Sequence, residues 1–498
     1  YEYQDISTRI LSVINQYASQ NEENRTDKCS EQDVLLIKYV DIIVDQGERP
    51  LHTLYRFLST HLPDTFSTIH ILPFFPYSSD DGFSVIDYRV VNQELGDWDD
   101  IRRIASRYHL MVDLVINHVS RESLWFYDFV ANTPPARDYF IELAPEADTS
   151  LVTRPRNSPL LAPVNTHRGM RHVWATFSED QIDLNFSNPD VLLEFIDILM
   201  FYLSNGTRIV RLDAIAFLWK KLGTRCVHLW ETHEVVKLLR KILNHVAPNC
   251  ILLTETNVPH EENLSYFGDG DEAHMVYQFA LPPLILHGLL KGDSWPIQQW
   301  ARGLKEPPKG CTFLNFTASH DGVGLRPLEG LVPKPEVDAL LDAMRARGGY
   351  ISTRSNSDGS VSPYELNISY FDAYRDPEKD GNRWQIPAFL VSQVVALSFR
   401  GIPAVYLHCL VATPNDTHAN IGTQCAKAGL HLLIEKPIDS DPDAAADLVL
   451  ERIGEAAVSA AQDDREAVPG VVCEDQVDRT VGVHVGSLDV VPDVPVEL

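Results

Sequence analysis

The last 92 residues of this 498-residue chain contain no aromatic side chain: every Phe, Tyr and Trp lies at or before Tyr406. At the chain's average of 9% about eight would fall there. The same end has no lysine beyond Lys436, and from residue 439 onward 15 Asp and Glu face 3 Arg. Such a segment has little with which to build a core of its own. Long apolar runs are also missing. No stretch of 18 apolar residues exists, which excludes a transmembrane helix. Residues 1–11 lack a basic segment followed by an apolar one, so no secretory signal is expected and a cytoplasmic location is. The chain begins with Tyr1 rather than Met, which reads as a truncated or processed start. Seven cysteines are an odd, scattered set without a C-x-x-C pair; a disulfide framework or zinc ribbon is not expected, and reduced thiols are. Basic charge is scarce, with 42 Lys+Arg against 70 Asp+Glu, a net −28. Of this, −12 belongs to residues 439–498 and −16 to the rest. An acidic surface repels phosphate backbones, so neither nucleic acid nor membrane is an expected partner.

Against these absences, 44% hydrophobic residues make a globular chain with ample core. Apolar, β-branched runs at 34–40, 68–73, 110–116, 208–212, 250–254, 275–279, 311–317 and 402–407 read as short buried strands. Helix-like stretches separate them. Asn188-Pro189, for example, supplies a cap and an N1 proline ahead of the apolar face Val191, Leu192, Phe195, Ile196 and Leu199. Eight strand–helix units predict an α/β fold, a (β/α)8 barrel over residues 1–410. About 90 residues separate the third and fourth strands, too many for one helix, so a small inserted domain is expected at about 120–186.

In such a barrel, chemistry sits at the C-terminal strand ends. Strand three runs into Asp113-Leu-Val-Ile-Asn117-His118, strand four into Arg211-Leu-Asp213-Ala214, strand five into Thr254-Glu255-Thr256-Asn257 and strand seven into Ala318-Ser319-His320-Asp321. Four such clusters aim carboxylates, imidazoles and a guanidinium at one mouth. Glycosyl transfer needs that set: one carboxylate to attack the anomeric carbon, and a second, held protonated, to donate to the leaving oxygen. An arginine beside the first keeps it ionised.

These segments resemble the signature regions of the α-amylase superfamily, glycoside hydrolase family 13, and Gln181-Ile-Asp183-Leu-Asn185-Phe186 resembles the short motif of its inserted domain. The resemblance implies Asp213 as nucleophile, Glu255 as general acid/base and Asp321 as transition-state stabiliser, with Arg211, His118 and His320 contacting a glucosyl ring. The 78–88 stretch is similar to the strand-two loop of the sucrose phosphorylase group, which implies that Asp80 and Phe83 cradle the ring. Thr153-Arg154-Pro155-Arg156 and Ala280-Leu-Pro-Pro-Leu284 share that likeness, implying that Arg156 serves phosphate. The segments 254–260 and 358–367, the latter carrying Tyr364 on the phosphate or acceptor side, resemble the branch acting on sucrose 6'-phosphate or glucosylglycerate. The implied activity is a retaining phosphorylase, a glycosyltransferase moving a glucosyl unit from an α-glucoside to inorganic phosphate. It requires no metal and no organic cofactor. Two alternatives stay open: a hydrolase or transglycosidase on the same barrel, and a non-catalytic or misassembled fusion. Nothing here fixes the oligomeric state.

Gly268-Asp-Gly270-Asp-Glu-Ala273 satisfies G-x-G-x-x-A formally, but its acids would repel a pyrophosphate and no strand immediately precedes it. It reads as an acidic loop. Beyond the barrel, no match to the group's arginine-bearing segment is seen, and its C-terminal β-sandwich is expected to be missing. Residues 411–438, ending in Glu435-Lys436-Pro437, instead resemble a fragment of the Gfo/Idh/MocA oxidoreductases, without the glycine fingerprint or substrate domain of that family. Lys436 is therefore read as solvent-exposed and non-catalytic, 417–427 as a stand-in for the eighth barrel helix, and 439–498 as an acidic tail.

Overall fold

The computed structural model describes residues 2–17, 29–30, 32–45, 47–355, 360–376, 384–407, 409–411 and 432–434. Eight parallel strands close on themselves: β1 (Leu35–Lys38), β2 (Thr68–Ile71), β3 (His109–Val115), β4 (Thr207–Asp213), β5 (Ile251–Thr254), β6 (Met275–Tyr277), β7 (Thr312–Asn315) and β8 (Ile402–Tyr406). Each pairs with its sequence neighbours, and β8 returns to β1 with Ala404 opposite Leu35. The (β/α)8 barrel is thus the observed fold. Its strands are buried almost throughout, as parallel strands covered on both faces must be. Burial of each Leu or Phe in this core contributes about 1.5–3 kcal/mol. Six strands are shorter than their apolar runs. β6 stops at Tyr277 because Gln278 already accepts from Leu281 N and Pro282-Pro283 begin the helix Leu281–Lys291.

The helix Pro189–Ser204 forms where its cap and proline place it: the Asn188 side chain accepts from Asp190 N, and Val191, Phe195, Ile196 and Leu199 are buried. Leu192 is only half-buried, while Leu193 turns fully inward. Between β3 and this helix the chain makes two antiparallel strand pairs, Leu161–Thr166 with Gly169–Trp174 and His118–Ser120 with Gln181–Asp183, besides the helix Leu124–Ala131. A second excursion, unforeseen in the sequence, follows β7. It holds the helix Lys334–Ala346 and a three-stranded antiparallel sheet of Val323–Gly324, Tyr350–Ser355 and Val361–Asn367. Leu325, Leu340, Met344, Leu366 and Tyr370 give it a hydrophobic cluster of its own against the helix Leu281–Lys291. The sheet is therefore a rigid wall over the barrel mouth.

Cys409–Val411 and Leu432–Ile434 pair in parallel. The rest of the 411–438 segment, the 417–427 stretch, Lys436 and the 439–498 tail lie outside the described residues. Among the described residues, Cys29, Cys226, Cys250 and Cys311 form no disulfide. Among the described residues no helix is long and apolar enough to cross a membrane. The 268–273 segment is a loop entered from a turn of 3-10 helix, Ser265–Phe267, and its Glu272 is buried against His233 at 2.6 Å.

Candidate active site

Strand register assembles the charged centre. Asp113 stands opposite Arg211 across the β3–β4 ladder, and Val115 opposite Asp213. Residues two apart on a strand face the same way, so Arg211 and Asp213 both point into the barrel mouth. Arg211 Nη1 donates to Asp113 Oδ1 at 2.6 Å and to Asp213 Oδ1 at 2.7 Å. The other oxygen of Asp113 lies 2.7 Å from His70 Nε2. All four side chains are buried. Burial alone would raise the Asp113 carboxyl; His70 and Arg211 outweigh it and hold the group down at about 2.

Glu255 brackets Asp213. Its backbone N donates to Leu212 O at 3.1 Å, and its Oε2 accepts from Ala214 N at 3.2 Å. Ala214 adopts φ 54°, a left-handed conformation costly for a residue with a Cβ, and in that position the chain turns its amide toward Glu255. Adjacent strands lie about 4.8 Å apart, which suits the roughly 5–5.5 Å between the two carboxyls of a retaining glycosidase. Burial first, and neighbouring carboxylates with it, push both Asp213 and Glu255 upward. The Arg211 guanidinium works against that rise at both carboxyls, and at Asp213 it does so through a direct hydrogen bond.

These groups line one cavity of about 170 Å³, small beside ordinary ligand clefts of about 300–1,000 Å³ and suited to a single sugar ring. Every residue singled out in the sequence lines it: Asp80, Phe83, His118, Arg156, Arg211, Asp213, Glu255, His320, Asp321 and Tyr364. The Phe83 ring stacks on His320 with centroids 4.7 Å apart. His118 Nε2 donates to the Phe83 carbonyl at 3.0 Å while Nδ1 accepts from Asn117 Nδ2 at 3.2 Å. Burial lowers both His118 and His320, which keeps them neutral hydrogen-bond partners. Asp321, half-exposed at the rim, lies 3.3 Å from His320 Nε2.

The loop bearing Asp80 and Phe83 is pinned by the long segment that follows β3. Asp180 accepts from the hydroxyls of Ser78 at 2.6 Å and Ser84 at 2.7 Å, and also from Ser79. Gln181 Nε2 reaches Asp80 Oδ2 at 2.8 Å. Gly82 (φ 106°) closes against Pro73, where a Cβ would come within 2.9 Å of the carbonyl. Behind this loop Lys220 Nζ lies 2.7 Å from Asp183 Oδ2 and donates to Asn117 Oδ1 at 2.6 Å, all fully buried. Sequence reasoning assigned no role to Asp180 or Lys220, since Ser78 and Ser84 lie 102 and 96 residues from Asp180 and Asn117 lies 103 from Lys220.

Opposite the loop is the sheet after β7. Tyr364 and Glu365 sit on its strand Val361–Asn367, and Gly324 on the neighbouring strand leaves room for Asn257, whose Oδ1 a Cβ would meet at 2.4 Å. Arg156 Nη1 lies 4.0 Å from Glu365 Oε2 and its guanidinium 6.0 Å from the Tyr364 ring centroid. It faces the cavity rather than a surface partner. Arg154, its neighbour, does not line the cavity. Glu365 is a cavity carboxyl that no strand-end pattern announced.

A sequence profile described as "alpha amylase, catalytic domain" matches residues 65–301. A second, described as "oxidoreductase family, NAD-binding Rossmann fold", matches residues 403–455, beginning within β8 and so upstream of the likeness seen at 411–438. β8 is itself a buried parallel strand, the pattern both contexts share. Glucosylglycerate phosphorylase of Spirochaeta thermophila is 51% identical over 383 residues, 77% of this chain and 65% of that protein. Glucosylglycerate phosphorylase of Escherichia coli is 46% identical over 396 residues, 79% of this chain and 71% of that protein. The chain thus spans less than two thirds of the former's length. The crystal structure of sucrose 6F-phosphate phosphorylase from Thermoanaerobacter thermosaccharolyticum aligns with a TM-score of 0.68 over 86% of each chain, at 24% identity, a likeness of fold.

Proposed function

The chain belongs to the α-amylase family, and on that footing we propose that it is a retaining glucoside phosphorylase, transferring a glucosyl unit from glucosylglycerate to inorganic phosphate. The observation that carries this reading is the sharing of one cavity by the Arg211-held Asp213, the Glu255 acid and the cationic Arg156. The two phosphorylases of glucosylglycerate at 46–51% identity support the choice of donor.

Asp213, ionised beside Arg211, attacks C1 of the α-glucoside while Glu255 gives its proton to the leaving glycerate oxygen. Asp321 at the rim faces the positive charge that develops on the ring. His118 and His320, neutral, hydrogen-bond the hydroxyls, and Asp80 and Phe83 complete the ring's enclosure. Phosphate, received on the Arg156 and Tyr364 side, then gives a proton to Glu255 and attacks the β-glucosyl-enzyme. Two inversions leave α-glucose 1-phosphate with net retention. None of these steps calls on a metal or an organic cofactor.

The test is a panel of sucrose, sucrose 6'-phosphate and glucosylglycerate, each with and without phosphate. Phosphate-dependent glucose 1-phosphate from glucosylglycerate, abolished in Asp213→Asn, is expected. Free glucose at a rate indifferent to phosphate would identify a hydrolase instead, and no turnover of any donor would leave a non-catalytic barrel.

A further inference from the structure

The strand Val361–Asn367 brings into the cavity a carboxyl that the mechanism above does not use. The Glu365 side chain is 9% exposed; its Oε1 accepts from Asn257 Nδ2 at 3.1 Å, and its Oε2 stands 4.0 Å from Arg156 Nη1, beyond hydrogen-bond reach. The charged groups facing it come from three other elements: Arg156 from the segment after β3, Glu255 from the end of β5, and Asp321 from the end of β7. Tyr364 adjoins it on its own strand, where Arg326 also acts on the phenol.

Asp213 has Arg211 at 2.7 Å to favour its charge, whereas Glu365 has only a cation at 4.0 Å and two carboxylates against it. Burial first, and then Asp321, push its carboxyl up to about 8. A protonated carboxyl donates a hydrogen bond; an ionised one only accepts and repels anions. At neutral pH the cavity wall therefore offers a neutral donor beside a guanidinium, an arrangement suited to an oxyanion. Above pH 8 the same wall turns anions away.

We propose that Glu365 is a specificity-determining residue of the acceptor subsite, forming with Arg156 a receptor for an oxyanion: inorganic phosphate in one direction and the carboxylate of the departing hydroxy acid in the other. This rests on the phosphorylase reading and names what its acceptor side recognises. Both anions use the one receptor in turn, since only one occupies the site beside the glucosyl-enzyme.

The test measures KM separately from kcat at pH 6–9.5 for two acceptors, phosphate with glucosylglycerate as donor and glycerate with α-glucose 1-phosphate as donor. Glycerate keeps a constant charge over this range, so its pH dependence comes from the enzyme, and comparison with Glu365→Gln isolates the share of Glu365 from that of the other cavity carboxyls. Its KM in the wild type should be flat below pH 8 and rise roughly tenfold per pH unit above it. Glu365→Gln keeps a donor but cannot ionise, and should flatten that rise. Glu365→Leu should raise KM for both anions at least tenfold at pH 7 relative to KM for the neutral acceptor glycerol. KM values unchanged in both variants, or altered for one anion only, would overturn the shared receptor. A wild-type enzyme that makes no glucose 1-phosphate from any donor would overturn the phosphorylase reading itself, and the receptor with it. Circular dichroism melting of Glu365→Gln, expected to match the wild type, separates a binding defect from a folding one.

Discussion

Arg211 Nη1 donates to Asp213 Oδ1 at 2.7 Å from two residues earlier on the same strand, the contact that works against burial to favour the charged form of Asp213. Arg211→Lys should break the arrangement, because a single ammonium cannot reproduce the fixed guanidinium geometry to both Asp113 and Asp213. Losing the close guanidinium contact leaves burial less opposed and raises Asp213 further. We expect at least a 100-fold fall in kcat/KM, with the acid limb of the pH–rate profile moved to higher pH; steady-state rates from pH 5 to 9 check it.

Glu255 must be protonated to release the first product, and its carboxyl is already raised by burial and Asp321. The rate of glucosyl-enzyme formation should therefore fall as pH climbs through that raised value. Glu255→Gln should remove the alkaline limb and cost about 10²–10⁴-fold with glucosylglycerate. With glucosyl fluoride, whose leaving group needs little protonation, the loss should be much smaller. Equal losses on both donors would remove Glu255 from the acid's role.

Lys220 and Asp183 form a buried ion pair at 2.7 Å behind the ring-binding loop. Lys220→Met leaves Asp183 without its cation in the interior, and breaking such a pair costs about 3–5 kcal/mol. Denaturant unfolding should show that loss as a lower midpoint. Asn117, which shares Lys220, should lose its hold on His118 as well, so glucose binding weakens.

Gly82 pairs a φ of 106° with a contact that leaves no space for a Cβ beside Pro73. Gly82→Ala should cost about 1–3 kcal/mol from backbone strain alone. It should also displace Phe83, the next residue, from its stack on His320. A raised KM for the glucosyl donor with kcat less affected is the expected signature.

The barrel was legible because each of its eight strands is a short β-branched run buried on both faces, and burial writes itself into composition. The chemistry at its mouth was legible because catalytic side chains must follow strand ends, so Asp213, Glu255 and Asp321 stand at predictable places. The sheet after β7 was not. Its strand Val361–Asn367 has one face on the cluster around Leu366 and another on the cavity, and mixed burial leaves no clean alternation. Asp180 and Lys220 were hidden for another reason: their partners, Ser78 and Asn117, are 102 and 103 residues distant.

Sequence by itself determined the fold and the order of the charged strand ends, both of which follow from local pattern. It also bounded the chain's end, where aromatic residues stop at Tyr406 and a net −12 gathers beyond residue 438. Only the tertiary structure decided which cation meets which carboxyl. Those encounters depend on distances, 2.7 Å from Arg211 to Asp213 and 4.0 Å from Arg156 to Glu365, and on removal from water. Coulombic energy varies with separation and dielectric, neither of which is written along a chain.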